Sequence, residues 1–176
     1  MLITLSGLPG SGTSTLGRKI ASELGLAHLD GGTVFRSLAA ERGHTLAEFL
    51  AVAEGDETVD RALDARLEAR AREGDVLLES RLAGWLVTRA DLPALRIWLA
   101  CDDEERARRV AARDGGDPTA ALAQNAHREA SEHTRYRTYY AIDLADLSVY
   151  DLVLDSTTAG PAELLEHVLA EAHARD

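Results

Sequence analysis

Nine consecutive residues near the N-terminus, Gly7-Leu8-Pro9-Gly10-Ser11-Gly12-Thr13-Ser14-Thr15, have the composition of a phosphate cradle. Glycines let the backbone approach an anion closely, and N–H groups at a following helix start point at it. The pattern is G-x-x-x-x-G-K-[ST], with Gly7 and Gly12 in place. It departs at one position, where Thr13 stands instead of the phosphate-binding lysine. A working site would need its positive charge from elsewhere. Lys19 is the only lysine in the chain, so arginine is the available source. Guanidinium stays charged and grips phosphate bidentately. Arg18 and Lys19 are poor candidates, because they lie over a turn into the helix that the loop opens.

Two further sets of arginines bear on that need. Arg36 follows a glycine turn and Arg81 follows Glu79, each just past an apolar run. Either alone reads as a solvated surface residue. Two in equivalent places suit a second phosphate, opposite a donor triphosphate. The other set is dense: Arg106, Arg108, Arg109 and Arg113, then Arg128, Arg135 and Arg137. Arg106, Arg109 and Arg113 share a helical face, as do Arg128 and Arg135. A Gly115-Gly116-Asp117-Pro118 turn joins the two stretches. They form either a flap over phosphates or an exposed hairpin with ion pairs such as Glu105 with Arg109. No Asp-x-x-Gly follows the third apolar run and no Asn-Lys-x-Asp occurs, which disfavours a GTPase. A small-substrate kinase fits better, since phosphoryl transfer asks for in-line positioning and positive charge more than covalent help.

The elements that must hold these residues are short apolar runs alternating with helical periodicity. Leu2–Leu5, Leu26–Leu29, Val76–Leu78, Leu95–Leu99 and Leu152–Leu154 read as strands. Helices are expected over 16–24, from Gly32, from a Thr45/Glu48 capping box, over 57–72, 103–113 and 119–139, and from Pro161. Such alternation predicts an α/β fold, a five-stranded parallel sheet covered on both faces. Ligands then bind at the carboxyl ends of the strands, where the loop, Asp30–Arg36, Glu79–Trp85 and Asp155–Thr158 all fall.

At 176 residues and 45% apolar content the chain is expected to be one domain. A formal charge of −11 argues against nucleic-acid binding. No stretch has the length of a membrane helix and no leader is seen, so a cytoplasmic location is expected. The lone Cys101 follows an apolar run and is expected to be buried. The acidic, lysine-poor, alanine-rich composition suits a salt-loving source or a GC-rich genome equally. The scattered histidines have no metal-ligand spacing, and Trp85, Trp98, Tyr136, Tyr139 and Tyr140 read as packing residues.

Nearly the whole chain resembles the archaeal-type cytidylate kinases, a branch of the nucleoside monophosphate kinases within the P-loop NTPases. The resemblance rests on Gly-Ser-Gly-Thr-Ser-Thr at 10–15, Gly-x-x-Phe-Arg at 32–36 and Arg-Leu-Ala-Gly-Trp at 81–85. It continues with Arg-Glu-x-x-Glu-x-x-x-Arg-Tyr at 128–136 and Ile-Asp-Leu-x-Asp-Leu-Ser-x-Tyr-Asp-Leu-Val at 142–153. It implies a threonine after the last loop glycine as a family trait. It also implies a three-layer fold with core about 1–30, 75–112 and 140–176, an acceptor-binding part about 31–74 and a lid about 113–139. The implied reaction is transfer of the γ-phosphate of ATP to CMP or dCMP with Mg²⁺, by a monomer. Loop residues Gly7 to Thr15 would bind ATP phosphates, and Ser14 or Thr15 would hold Mg²⁺. Arg36, Arg81 and Gly32 would take the CMP phosphate and Glu132 would read cytosine. Arg128 and Arg135 would act in the transition state, with Arg109 and Arg113 also in the lid and Asp30 orienting the acceptor phosphate or a metal-bound water. Ser80 departs from the glycine expected before Arg81. A kinase for another nucleoside monophosphate or small metabolite, and a nucleotide-binding module without catalysis, are the competing readings.

Overall fold

The computed structural model describes residues 1–175. Five parallel strands, β1 Leu2–Gly7, β2 Ala27–Asp30, β3 Val76–Glu79, β4 Leu95–Ala100 and β5 Leu152–Asp155, form one sheet in the order β2-β3-β1-β4-β5. The chain therefore runs outward from β1 to one edge, returns through β3, crosses to β4 and ends at the other edge. Beside β1 the strand ends at Gly7, Glu79 and Leu99 are brought close, because Leu5 pairs with Glu79 and Gly7 with Leu99.

Alternation along the strands feeds two cores. Leu2, Val76 and Leu78 point to one face, where they meet Leu38, Phe49, Val59, Leu67 and Val87. These come from helices α2 Gly31–Glu41, α3 Leu46–Gly55, α4 Glu57–Glu73 and α5 Ala83–Arg89. Ile3, Leu5, Leu77, Ile97 and Leu99 point to the other face and pack on Leu16, Ile20, Leu164 and Val168. Those belong to α1 Thr13–Leu24 and α8 Pro161–His173. Helix α6 Asp103–Asp114 and the long α7 Pro118–Tyr140 form a hairpin at the strand ends, seamed by Ala107, Ala111 and Ala121.

The predicted Thr45/Glu48 capping box is present in full, with each residue bonding the other's backbone N–H. Pro118 and Pro161 stand at helix starts, where no N–H is needed. Two features differ from expectation. Helix α5 was not anticipated, being seven residues long with Gly84 inside it. Cys101 is only half-buried, because β4 ends at Ala100 and the cysteine sits in the turn before α6. Among the described residues no helix is long and apolar enough to cross a membrane.

Candidate active site

The loop between β1 and α1 is shaped by conformations that only glycine adopts easily. Gly10 and Gly12 have φ of +87° and +96°. A Cβ on Gly10 would also lie 2.6 Å from the carbonyl oxygen of Arg106. Gly12 is the N-cap of α1 and makes no side-chain cap bond, so the first N–H groups of the helix stay uncapped. With no acidic residue in that first turn, the helix end is a receptor for an anion.

Three arginines clasp the same loop from outside. Arg81 Nη1 donates to the Gly7 carbonyl at 2.7 Å, Arg106 Nη1 to Pro9 at 3.0 Å and Arg109 Nη1 to Ser11 at 3.3 Å. Alternate carbonyls are thus occupied by guanidiniums, each of which is also paired with a carboxylate. Arg106 is 2% exposed and also pairs with Glu129 of α7. Arg109 reaches Ser156 at the end of β5 through both its hydroxyl and its carbonyl. Its charge is shared with Glu105, whose carboxyl is brought down to about 2 by hydrogen bonds from Arg108 and Arg109. Arg113 lies apart from this group and pairs with Asp114.

Thr13 does not face outward as a lysine would. Its hydroxyl donates to Glu79 Oε1 at 2.7 Å, and the Ser14 hydroxyl donates to the same oxygen at 2.6 Å. His28 Nε2 approaches Glu79 Oε2 at 2.9 Å. Thr15 makes no such contact, so of Ser14 and Thr15 only Ser14 is directed at the carboxylate. In the sequence Glu79 marks only a strand end. Its signal was there: an acidic residue closing the apolar run Val76-Leu77-Leu78, at the edge where ligands bind.

Opposite the loop stands a wall formed by α4 and α7. Glu132 is buried and accepts from Arg81 Nε at 3.0 Å and from Arg128 Nε at 2.8 Å. Burial alone would raise its carboxyl, but these two guanidiniums prevail and hold it below the usual range. Arg135, expected beside the phosphates, turns toward α4 and donates from Nε to Asp60 Oδ2 at 2.9 Å. Burial keeps the Asp60 carboxyl raised despite Arg135. Ser131 links the pair to α3, accepting from Arg135 Nη1 and donating to Glu54. The end of α7 is clamped as well: Arg61 and Arg89 donate to the carbonyls of Tyr139 and Tyr140.

The remaining expected residues gather at α2. Asp30 is the N-cap of that helix, accepting from the N–H groups of Gly32 and Thr33 and from the Thr33 hydroxyl. Arg36 donates to Thr33 Oγ1 at 2.8 Å and lies 3.5 Å from Asp30, with its side chain 58% exposed. Ser80 packs against Gly31, where a Cβ would come within 2.9 Å of its own Cβ. Its buried hydroxyl has no hydrogen-bond partner. The structure thus joins Arg81, Glu132 and Arg128 to the loop in one network, and leaves Arg36 and Arg113 outside it.

The profile of the "Cytidylate kinase-like family" matches residues 2–158. A cytidylate kinase of Halobacterium salinarum is 45% identical over 170 residues, covering 96% of this chain and 88% of that protein. One from Halorubrum lacusprofundi is 46% identical over 177 residues, covering 100% and 91%. Among solved structures, shikimate kinase from Acinetobacter baumannii in complex with shikimate superposes with a TM-score of 0.64 at 17% identity, covering 99% and 94%. At that identity the likeness concerns the fold.

Proposed function

The chain belongs to the cytidylate kinase-like family, and on that footing we propose that it transfers the γ-phosphate of ATP to CMP or dCMP. The products are ADP and CDP or dCDP. The observation that carries this reading is the span of Arg81. One side chain touches the carbonyl of Gly7 in the phosphate loop and the carboxylate of Glu132 in the opposite wall. Donor and acceptor phosphates bound on either side of it share one guanidinium.

The loop N–H groups and the uncapped start of α1 hold the ATP phosphates. Arg36 and Arg81, with Gly32, take the acceptor phosphate. An oxygen of that phosphate attacks the γ-phosphorus, the bond to the β-phosphate oxygen breaks, and ADP leaves. Arg81, Arg109 and Arg128 lower the cost of charge spreading over the transferred group. Arg81 and Arg128 already serve Glu132, so bound phosphate must draw them away or share them. Glu132 accepts from the cytosine amino group, and a carboxylate has nothing to offer the O4 of uracil.

Mg²⁺ bound with ATP fits the donor set. Among the described residues Glu79 has no arginine or lysine partner, and the Ser14 hydroxyl bonds one of its oxygens. A carboxylate and a hydroxyl are hard oxygen ligands. When bound, the ion neutralises charge on the donor phosphates. Helices α2–α4 (31–74) are the acceptor-binding part and 113–139 the lid. Within that lid the second half of α7 is tied to α3 and α4 through Ser131, Arg135 and Tyr139.

The test is a panel of nucleoside monophosphates with ATP and Mg²⁺, at low and high salt. CMP and dCMP are expected to turn over fastest. Preference for AMP or a small metabolite, or binding of ATP and CMP without CDP formation, would overturn the reading.

A further inference from the structure

His28 is a residue that the reaction as described does not use. It lies on β2, where it pairs in register with Leu77, two residues before Asp30 faces Glu79. Its Nε2 is 2.9 Å from Glu79 Oε2. An imidazole N–H can donate to such an oxygen. That bond occupies one oxygen of Glu79, and the other, Oε1, is the one that Thr13 and Ser14 share. The carboxylate is thereby fixed in rotation as well as in place. Free of His28, it could turn either oxygen, or neither, toward the loop.

The space for this ring is reserved by the helix above it. Gly17 is buried in α1, and a Cβ there would lie 3.1 Å from His28 Nε2 and 3.3 Å from Leu77 Cδ2. Gly17 has no need of glycine for its backbone, which is helical. Its lack of a side chain is explained by the imidazole beneath it. A glycine in mid-helix costs up to about 1 kcal/mol relative to alanine, and here the loss goes with a fixed histidine.

We propose that His28, with Gly17 above it, is a positioning residue for the nucleotide-bound metal: it holds Glu79 so that Oε1 faces the Ser14 hydroxyl. The inference rests on the reading of Ser14 and Glu79 as the metal-holding pair. Side chains that orient a ligating carboxylate in this way alter metal affinity without touching the ion.

The experiment measures Mn²⁺ binding to the full-length protein with ADP, by electron paramagnetic resonance, beside calorimetric binding of ADP without metal. His28→Leu is expected to weaken Mn²⁺ by about tenfold, while metal-free ADP binding stays within about twofold. His28→Gln, which returns a donor near the Nε2 position, is expected to recover most of the loss. Wild-type Mn²⁺ affinity in His28→Leu, or an equal loss of metal-free ADP binding, would overturn the proposal. If His28→Leu does not fold, Gly17→Ala replaces it: the displaced ring should weaken Mn²⁺ severalfold, and an unchanged affinity overturns the proposal. Glu79→Gln separates the two layers. If it leaves Mn²⁺ binding intact, the metal reading falls and this inference with it. If it weakens Mn²⁺ while His28→Leu does not, only the role of His28 falls.

Discussion

Two parts of the site bury carboxylates, and they neutralise them differently. In the wall, Asp60 and Glu132 are 4% and 5% exposed and each meets guanidinium, Arg135 for one and Arg81 with Arg128 for the other. At the loop, Glu79 is 6% exposed and meets two hydroxyls and an imidazole. A guanidinium gives a buried carboxyl group both hydrogen bonds and counter-charge, whereas a hydroxyl gives hydrogen bonds alone. The wall is therefore electrostatically complete without substrate. Among the described residues the loop carboxylate has no such counter-charge from arginine or lysine. The proposed Mg²⁺ would supply there the positive charge that arginine supplies in the wall.

The largest expected effect falls on the side of the loop. Glu79→Gln should lower kcat by about a thousandfold, with the melting temperature little changed, since the amide keeps the shape of the carboxyl group and one accepting oxygen. A steady-state assay beside thermal unfolding checks it; a stability loss with near-normal kcat would make Glu79 a structural residue like those of the wall. On the complete side, Asp60→Asn leaves Arg135 buried without its partner and should cost about 3 kcal/mol in urea unfolding. Replacing both residues, Asp60→Leu with Arg135→Met, should recover most of that. If the double variant is as unstable as the single one, the pair is more than mutual neutralisation.

Glu132→Gln tests whether the wall reads the base. The ratio of kcat/KM for CMP over UMP should narrow by about tenfold; an unaltered ratio would leave Glu132 as an ion-pair partner only. The smallest effect concerns Asp64, a neighbour of Asp60 on α4. Burial pushes its carboxyl up to about 7, slightly relieved by the nearby Tyr140 hydroxyl, and its Oδ2 lies outside hydrogen-bond geometry with any group. Between the ordinary carboxylate value and 7 the folded chain keeps a proton that the unfolded chain has lost. Stability contributed by this group therefore falls as pH rises from 4 to 7 and stays low above. Asp64→Asn should gain about 1 kcal/mol at pH 8 and little at pH 4. An equal gain at both values would mean that the carboxyl titrates normally.

Strands β1, β3 and β4 could be found in the sequence because parallel strands buried on both faces are continuous apolar runs. Helix α5 could not. Gly84 breaks its pattern, and the reason lies 66 residues away, where the Tyr150 ring would come 2.4 Å from a Cβ. The site divides in the same way. The loop and Arg81 are marked by local motif and strand end. Ion-pair choice is tertiary: Glu132 has Arg128 and Arg135 one turn away on either side, yet takes Arg128 and the distant Arg81 while Arg135 goes to Asp60. Sequence spacing offers both helical neighbours equally, and only the approach of α4 decides between them.

The threonine at position 13 has a consequence for chemical labelling. Nucleotide probes that acylate the phosphate-loop lysine find no amine there, and the sole lysine, Lys19, is exposed on α1. Amine-directed reagents should modify Lys19 and the terminal amine with kcat little changed. Arginine-directed dicarbonyls should inactivate the enzyme, and ATP should protect it, because the cationic groups around this loop are guanidiniums. A survey of kinases that relies on loop acylation would pass over this protein.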